Sequence, residues 1–152
     1  MSDENQISIP ESLQKWRDEG HFQSFEGNNY FVHASGNAAT DGDGVLIVHG
    51  FPGSSWDWHM VVEHLALHTR VVVPDMLGYG QSDKPGDGNY SIFKSADMYE
   101  AVAIEDGLRN VVLVIHDLGQ TVGAELMARQ EEVKLSFRIR HAIVFNGSTL
   151  VD

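Results

Sequence analysis

The segment Val111-Val112-Leu113-Val114-Ile115-His116-Asp117-Leu118-Gly119 sets a carboxylate where a buried strand stops and a helix is about to start. Five apolar, mostly β-branched residues read as a fully buried parallel strand. Beyond Gly119 the period turns helical, with Val122, Leu126 and Gln130 at four-residue steps. A reactive side chain at the tip of a sharp strand-to-helix turn is the nucleophile-elbow arrangement, most familiar with serine at its centre. With Asp117 there, the expected chemistry moves from ester hydrolysis toward attack by a carboxylate. Such a group displaces a leaving group from saturated carbon and leaves an ester on the protein. The free N–H groups and positive end of the following helix favour its charged form. An aspartate at this place can also simply cap the helix, and the residues alone leave both roles open.

A second segment, His49-Gly50-Phe51-Pro52, follows another buried strand. Elbows of this kind take one backbone N–H from the residue after the nucleophile and another from an earlier strand-end loop. Here those are Leu118 and Phe51, expected to stabilise the oxyanion formed when water attacks the Asp117 ester. The plainer alternative is a Gly-Pro loop punctuating a strand end. His116 sits beside Asp117, but neighbours at a strand end point to opposite sides, so it is expected to pack away from the nucleophile. Residues 75–85 read as structural, with Gly78 and Gly80 opening backbone angles closed to other residues and Ser82 and Asp83 suited to local turns. The histidines show no metal-ligand spacing; His64 and His68 are four apart without an H-E-x-x-H pattern. No metal and no cofactor are expected.

The elements that must position these residues form a simple rhythm. Residues 1–20 read as a polar lead-in with a short helix near 10–16. Strands at 21–25 and 29–33 around Glu26-Gly27-Asn28 read as a hairpin. Residues 45–48, 70–73, 111–115 and 141–145 read as buried strands, and 56–67, 92–108 and 118–130 as helices between them. Strands alternating with helices imply an α/β domain over 21–152 with a mostly parallel sheet covered on both faces. Ligands of open sheets sit beyond the carboxyl ends of the strands. The unusual residues fall there: His49 to Pro52, Asp75, Asp117 and Asn146-Gly147-Ser148.

Composition narrows the function classes. The 152 residues carry 10 Lys and Arg against 22 Asp and Glu, a net charge of −12, and 42% hydrophobic residues. The few scattered basic residues argue against a nucleic-acid binder. With no cysteine, disulfides, thiolate metal sites and a cysteine nucleophile are excluded. No apolar run is long enough to span a bilayer and the N-terminus has no signal-peptide pattern, so no membrane partner is expected and a cytoplasmic location is the default.

Three segments together resemble the α/β-hydrolase fold family, in its aspartate-nucleophile branch of epoxide hydrolases and haloalkane dehalogenases. They are His49-Gly50-Phe51-Pro52-Gly53-Ser54-Ser55-Trp56-Asp57-Trp58, then residues 75–85 (DMLGYGQSDKP), then His116-Asp117-Leu118-Gly119. Within that branch, Ser54 to Trp58, Tyr90-Ser91-Ile92-Phe93 and Asn146-Gly147-Ser148 look most like the mesoderm-specific-transcript-like group. The resemblance implies Asp117 as nucleophile, a small apolar substrate, and a pocket lined by His49, Gly50, Pro52, Trp58 and Gln120. Trp58 fits core packing nearly as well. Leu118 stands where dehalogenases usually carry a halide-holding tryptophan, and Phe51 where they often carry a polar residue; both lean toward an epoxide. Ile115 and Gln120 replace small residues expected around the elbow.

Family members continue after the strand near Phe145 into a helical cap, further strands, a triad acid and a late histidine. No histidine follows His141 here. The expectation is therefore the N-terminal part of such a domain, truncated before the cap and C-terminal strands and slow or inactive alone, since a general base is worth on the order of 10²–10⁴ in rate. Its last strand would be an edge that invites a complementary C-terminal half or self-association. A non-catalytic fold remnant or binding module is the alternative of a different class.

Overall fold

The computed structural model describes residues 10–38, 41–86, 88 and 90–147. Their elements run α1 (Glu11–Glu19), β1 (His21–Phe25), β2 (Asn28–Ser35), β3 (Asp43–Val48), a 3-10 turn (Ser55–Trp58), α2 (His59–Leu65), β4 (Arg70–Pro74), α3 (Ile92–Glu105), β5 (Asn110–His116), α4 (Gly119–Glu131) and β6 (Arg138–Phe145). The strands form one sheet in the order β1-β2-β4-β3-β5-β6. β3, β4, β5 and β6 are parallel, and the β1–β2 hairpin joins antiparallel. The hairpin turn uses Glu26 (φ 48°) and Gly27 (φ 80°), the left-handed pair whose twist matches that of the strands.

Strand alternation makes two cores. On β3, Val45 and Ile47 join Trp16, Trp58 and Val62 from the α1 and α2 side. Leu46 and Val48 join Tyr99, Val102, Val122 and Leu126 from α3 and α4. The period of two on the strands is thus met by helical faces on both sides, as a buried parallel sheet requires.

Strand order reverses at β3, which has β4 on one side and β5 on the other. The chain crosses β3 between them, and open α/β sheets hold ligands at such a point. The register Val48↔Ile115 brings the loop after β3 alongside the turn after β5. Two remote segments are thereby made neighbours by one parallel pairing.

Some expected elements change. The helix at 56–67 opens with the 3-10 turn, because Ser54 and Asp57 form a reciprocal capping box that tightens the first turn. α3 stops three residues before Leu108: Gly107 turns left-handed (φ 80°) and the Leu108 N–H donates back to the Ala103 carbonyl at 2.8 Å, satisfying a helix-end acceptor. β6 is not the buried strand expected. Only its Ile139 is buried, while Ile143, Val144 and Phe145 are 51, 48 and 39% exposed, because β6 is the edge of the described sheet. Residues 1–9 of the expected lead-in and Ser148 lie outside the described residues. α1 is pinned by Trp16, whose ring lies flat on His33 at 3.4 Å between centroids and whose Nε1–H donates to Ser55 Oγ at 3.3 Å.

Candidate active site

Asp117 stands between the end of β5 and the start of α4 with φ 53°. Left-handed backbone is uncommon for residues other than glycine, and aspartate is among those that tolerate it. The sharpness of the turn depends on two glycines. A Cβ on Gly119 would collide with the Val48 carbonyl oxygen and lie 2.6 Å from that of His49, and a Cβ on Gly50 would lie 2.6 Å from Asp117 Cβ. Without side chains there, the β3 loop and the elbow touch backbone to backbone.

Asp117 Oδ1 accepts two backbone hydrogen bonds, from the Leu118 N–H at 2.6 Å and the Phe51 N–H at 2.9 Å. A helix-capping carboxylate would instead accept from the N–H groups two or three residues on. Here Gln120 N–H donates to the Asp117 backbone carbonyl at 2.9 Å, so the side chain is not the cap. The two expected donors do converge, and they converge on the aspartate's own oxygen. They hold its pKa below the usual carboxylate range, Phe51 contributing most and Leu118 next, with partial desolvation opposing and the nearby His116 assisting. Oδ2 makes no hydrogen bond to any described residue.

His49, expected to line the pocket, does not: it is fully buried. Its Nε2 accepts the Met76 N–H at 2.9 Å and its Nδ1–H donates to the Gly50 carbonyl at 3.0 Å. The Met76 donor fixes the neutral Nδ1–H tautomer, and the ring ties the loop after β3 to the loop after β4. Burial pushes the His49 pKa down, with the Gly50 carbonyl, Asp75 and Asp57 opposing; burial likewise lowers that of His33. Depressed histidine pKa values give stability that is present above the unfolded value, about 6.5, and lost as pH falls through the folded ones. The melting temperature is therefore expected to decline as pH is lowered below about 6.5, with the His49 imidazole titrating below a free imidazole by nitrogen NMR. A flat melting profile, or a His49 ring that titrates at or above the free value, would contradict this.

Trp58 is also displaced from the expected pocket. It is 8% exposed and packs with Ile47 and Val62 on the α2 face, its ring 6.3 Å from His116 and 5.7 Å from Phe145. His116 thus points away from Asp117, as strand alternation requires. Gly50 lies against Asp117. Phe51 and Pro52 are exposed beside it, with the Phe51 ring edge-on to Tyr79 at 6.4 Å. Gln120, expected to line the pocket, is not in the wall of the cavity beside Leu118; its amide lies beside Gly147, in the turn after β6.

The segment 75–85 braces these loops. Asp75, 1% exposed, accepts from the Ser55 N–H at 2.6 Å and the Gln81 N–H at 2.8 Å. Ser82 Oγ donates to the Asp75 carbonyl at 2.7 Å and accepts the Phe31 N–H at 2.9 Å. Gly80 (φ 48°) must lack a side chain because its Cβ would overlap the Asp75 carboxylate.

Beside the elbow, reached through Leu118, is a cavity of about 320 Å³ walled by Met76, Leu77, Tyr79, Ile92 and Val122, with Tyr30 and Lys94 also facing it. Asp117 itself is not part of its wall. Sequence reasoning missed this space because its residues come from β2, the loop after β4, α3 and α4. Among the described residues no group of three His, Asp or Glu could hold a metal ion, and no helix is long and apolar enough to cross a membrane.

The family model described as the alpha/beta hydrolase fold matches residues 44–137. "Putative hydrolase LipZ" of Mycobacterium tuberculosis is 35% identical over 93% of this chain and 48% of its own length. The human mesoderm-specific transcript homolog protein is 38% identical over 80% of this chain and 37% of its own. Among solved structures, haloalkane dehalogenase DbeA from Bradyrhizobium elkani superposes with a TM-score of 0.71 at 30% identity, over 84% of this chain and 41% of that one. The chain spans less than half the length of these relatives.

Proposed function

The chain belongs to the α/β-hydrolase fold family, and on that premise we propose that Asp117 is a carboxylate nucleophile acting on saturated carbon of a small apolar molecule. One observation carries the reading: Oδ1 is held by two backbone N–H groups while Oδ2 has no hydrogen bond to any described residue. The donors fix the carboxylate and keep it charged, leaving the lone pairs of Oδ2 for attack. In the first half-reaction an Oδ2–carbon bond forms as a carbon–oxygen bond of an epoxide breaks, the released alkoxide taking a proton from water. In the second, water adds to the ester carbon, its proton passing to the hydroxide left by the first. The oxyanion develops on Oδ1, where Phe51 and Leu118 already point, and the alcohol leaves with regeneration of the carboxylate.

An epoxide is the first substrate class, because Leu118 and Phe51 offer no side-chain donor to a halide. A haloalkane is the second reading, favoured by the dehalogenases among the relatives; Mesorhizobium japonicum haloalkane dehalogenase is 37% identical over 62% of this chain. The test is mass spectrometry after incubation with a reactive epoxide and, separately, a bromoalkane. One equivalent of added mass mapping to Asp117 is expected. No adduct with either reagent would return the chain to a non-catalytic binding module.

Among the described residues β6 is an edge of the sheet, and its backbone beside exposed Ile143 and Val144 is a template for another strand. We infer that a complementary half or a second copy of the chain pairs there. The 152-residue chain is expected to self-associate in sedimentation runs and Ile143→Lys to shift it toward monomer; a monomer at all concentrations before substitution would refute this.

A further inference from the structure

The cavity beside Leu118 is lined by three side chains whose polar heads no described residue engages, Tyr30, Tyr79 and Lys94. Tyr30 is 3% exposed and faces this space, yet its hydroxyl makes no hydrogen bond to any described residue. No fully enclosed side-chain atom among the described residues lacks a partner, so the hydroxyl is not sealed in the core. Lys94, half-buried on the first turn of α3, makes neither a hydrogen bond nor an ion pair to any described residue. Arg129, on the neighbouring helix, engages Asp97, Glu100 and Glu125 together, and Arg70 engages Asp106.

The rest of the wall mixes apolar Met76, Leu77, Ile92, Leu118 and Val122 with Tyr79, Ser91 and Ser95, the two serine hydroxyls being engaged at the start of α3. One side is closed by Tyr90, whose ring lies over Gly78 and whose hydroxyl donates to the Pro85 carbonyl at 3.0 Å. A space of about 320 Å³ is at the lower end of ligand-pocket sizes, and a mostly apolar lining with a few convergent polar groups is the usual make-up of such pockets.

We propose that this cavity binds the carboxylate end of an apolar monoacid, with the Lys94 ammonium and the Tyr30 hydroxyl as its donors and the apolar wall around its chain. One cation and one neutral donor match the single charge and two oxygens of a carboxylate. A phosphate dianion would ask for more positive charge than the cavity offers. Burial, with Glu26 and Asp83 nearby, raises the Tyr30 pKa, so the phenol remains a donor. That the acid is part of the molecule attacked by Asp117 rests on the carboxylate-nucleophile reading; the binding does not.

The experiment titrates the protein with decanoate below its micelle concentration, and with 1-decanol and methyl decanoate as neutral counterparts. Decanoate is expected to bind most tightly. Lys94→Met is expected to weaken it about tenfold, the scale of one charge-assisted contact, with decanol unaffected. Lys94→Arg restores binding, and Tyr30→Phe, which keeps the packing, weakens decanoate alone. Equal affinity for decanoate and decanol, or a decanoate affinity unmoved by Lys94→Met, overturns the proposal. The same titration of Asp117→Asn separates the two readings: its decanoate affinity is expected to persist whether or not Asp117 proves to be a nucleophile, and loss there would move the acid out of this cavity.

Discussion

Asp117→Asn protein exposed to a reactive epoxide is expected to gain no mass under conditions where the unaltered chain gains one equivalent. The substitution keeps the shape of the side chain and an oxygen to accept the Phe51 and Leu118 N–H groups. What disappears is the second carboxylate oxygen, the atom with free lone pairs. Removing a nucleophile costs on the order of 10⁴-fold or more in rate, so labelling should fall below detection. Two readouts separate this from a folding defect. The variant should retain its cooperative melt. Its deficit in melting temperature at neutral pH should also close in acid. A carboxylate whose folded pKa is depressed gives stability present above the unfolded value and lost as pH falls through the folded one; the amide of the Asp117→Asn variant does not titrate and has no such dependence. In the unaltered chain the acid limit of labelling should fall below about pH 3.9, the ordinary aspartate value, because the two N–H groups hold Asp117 charged. Labelling that persists in Asp117→Asn would remove the nucleophile.

Gly119→Ala is expected to be the most damaging small substitution at the elbow. Helix propensity alone argues the other way, since alanine is favoured over glycine in helices by about 1 kcal/mol. The new methyl would meet the carbonyl oxygens of Val48 and His49, which belong to the central strand and the buried loop and cannot rotate aside. Forcing α4 away from β3 costs about 1–3 kcal/mol by the measure of overpacked interiors, and it parts the Phe51 N–H from Asp117. Denaturant unfolding should show the lost stability and mass labelling a slower reaction. Gly86→Ala is the control: its Cβ has nothing within 4 Å, and a change within about 0.5 kcal/mol is expected. Equal behaviour of the two variants would mean that the close approach at Gly119 is not what holds the elbow.

Much of the architecture could be read from local pattern. The apolar run 111–115 and the helical period after Gly119 locate β5 and α4, and Glu26-Gly27 marks the hairpin. Convergence of Phe51 and Leu118 on the elbow followed from strand-end logic. Not every site assignment survived. His49 and Trp58 follow the same strand as Phe51, but local sequence does not say which side of the sheet a loop residue faces. Met76 N–H captures His49 from a loop 27 residues away. Trp58 is carried to the opposite face by the capping box of Ser54 and Asp57, where His116 and Phe145 receive it.

The sequence by itself determined the rhythm of strands and helices, the acid at the strand-to-helix turn and the glycines that permit its sharpness, because period, propensity and φ tolerance are properties of short segments. Tertiary structure alone decided that the β3 loop closes on Asp117 Oδ1, that His49 becomes a buried brace, and that Tyr30 and Lys94 line one cavity beside Leu118. Those facts depend on strand order. The crossover that sets β5 against β3, rather than against β4, brings residues 66 positions apart into hydrogen-bond contact, and the pairing of distant strands is a long-range packing outcome that no local pattern encodes.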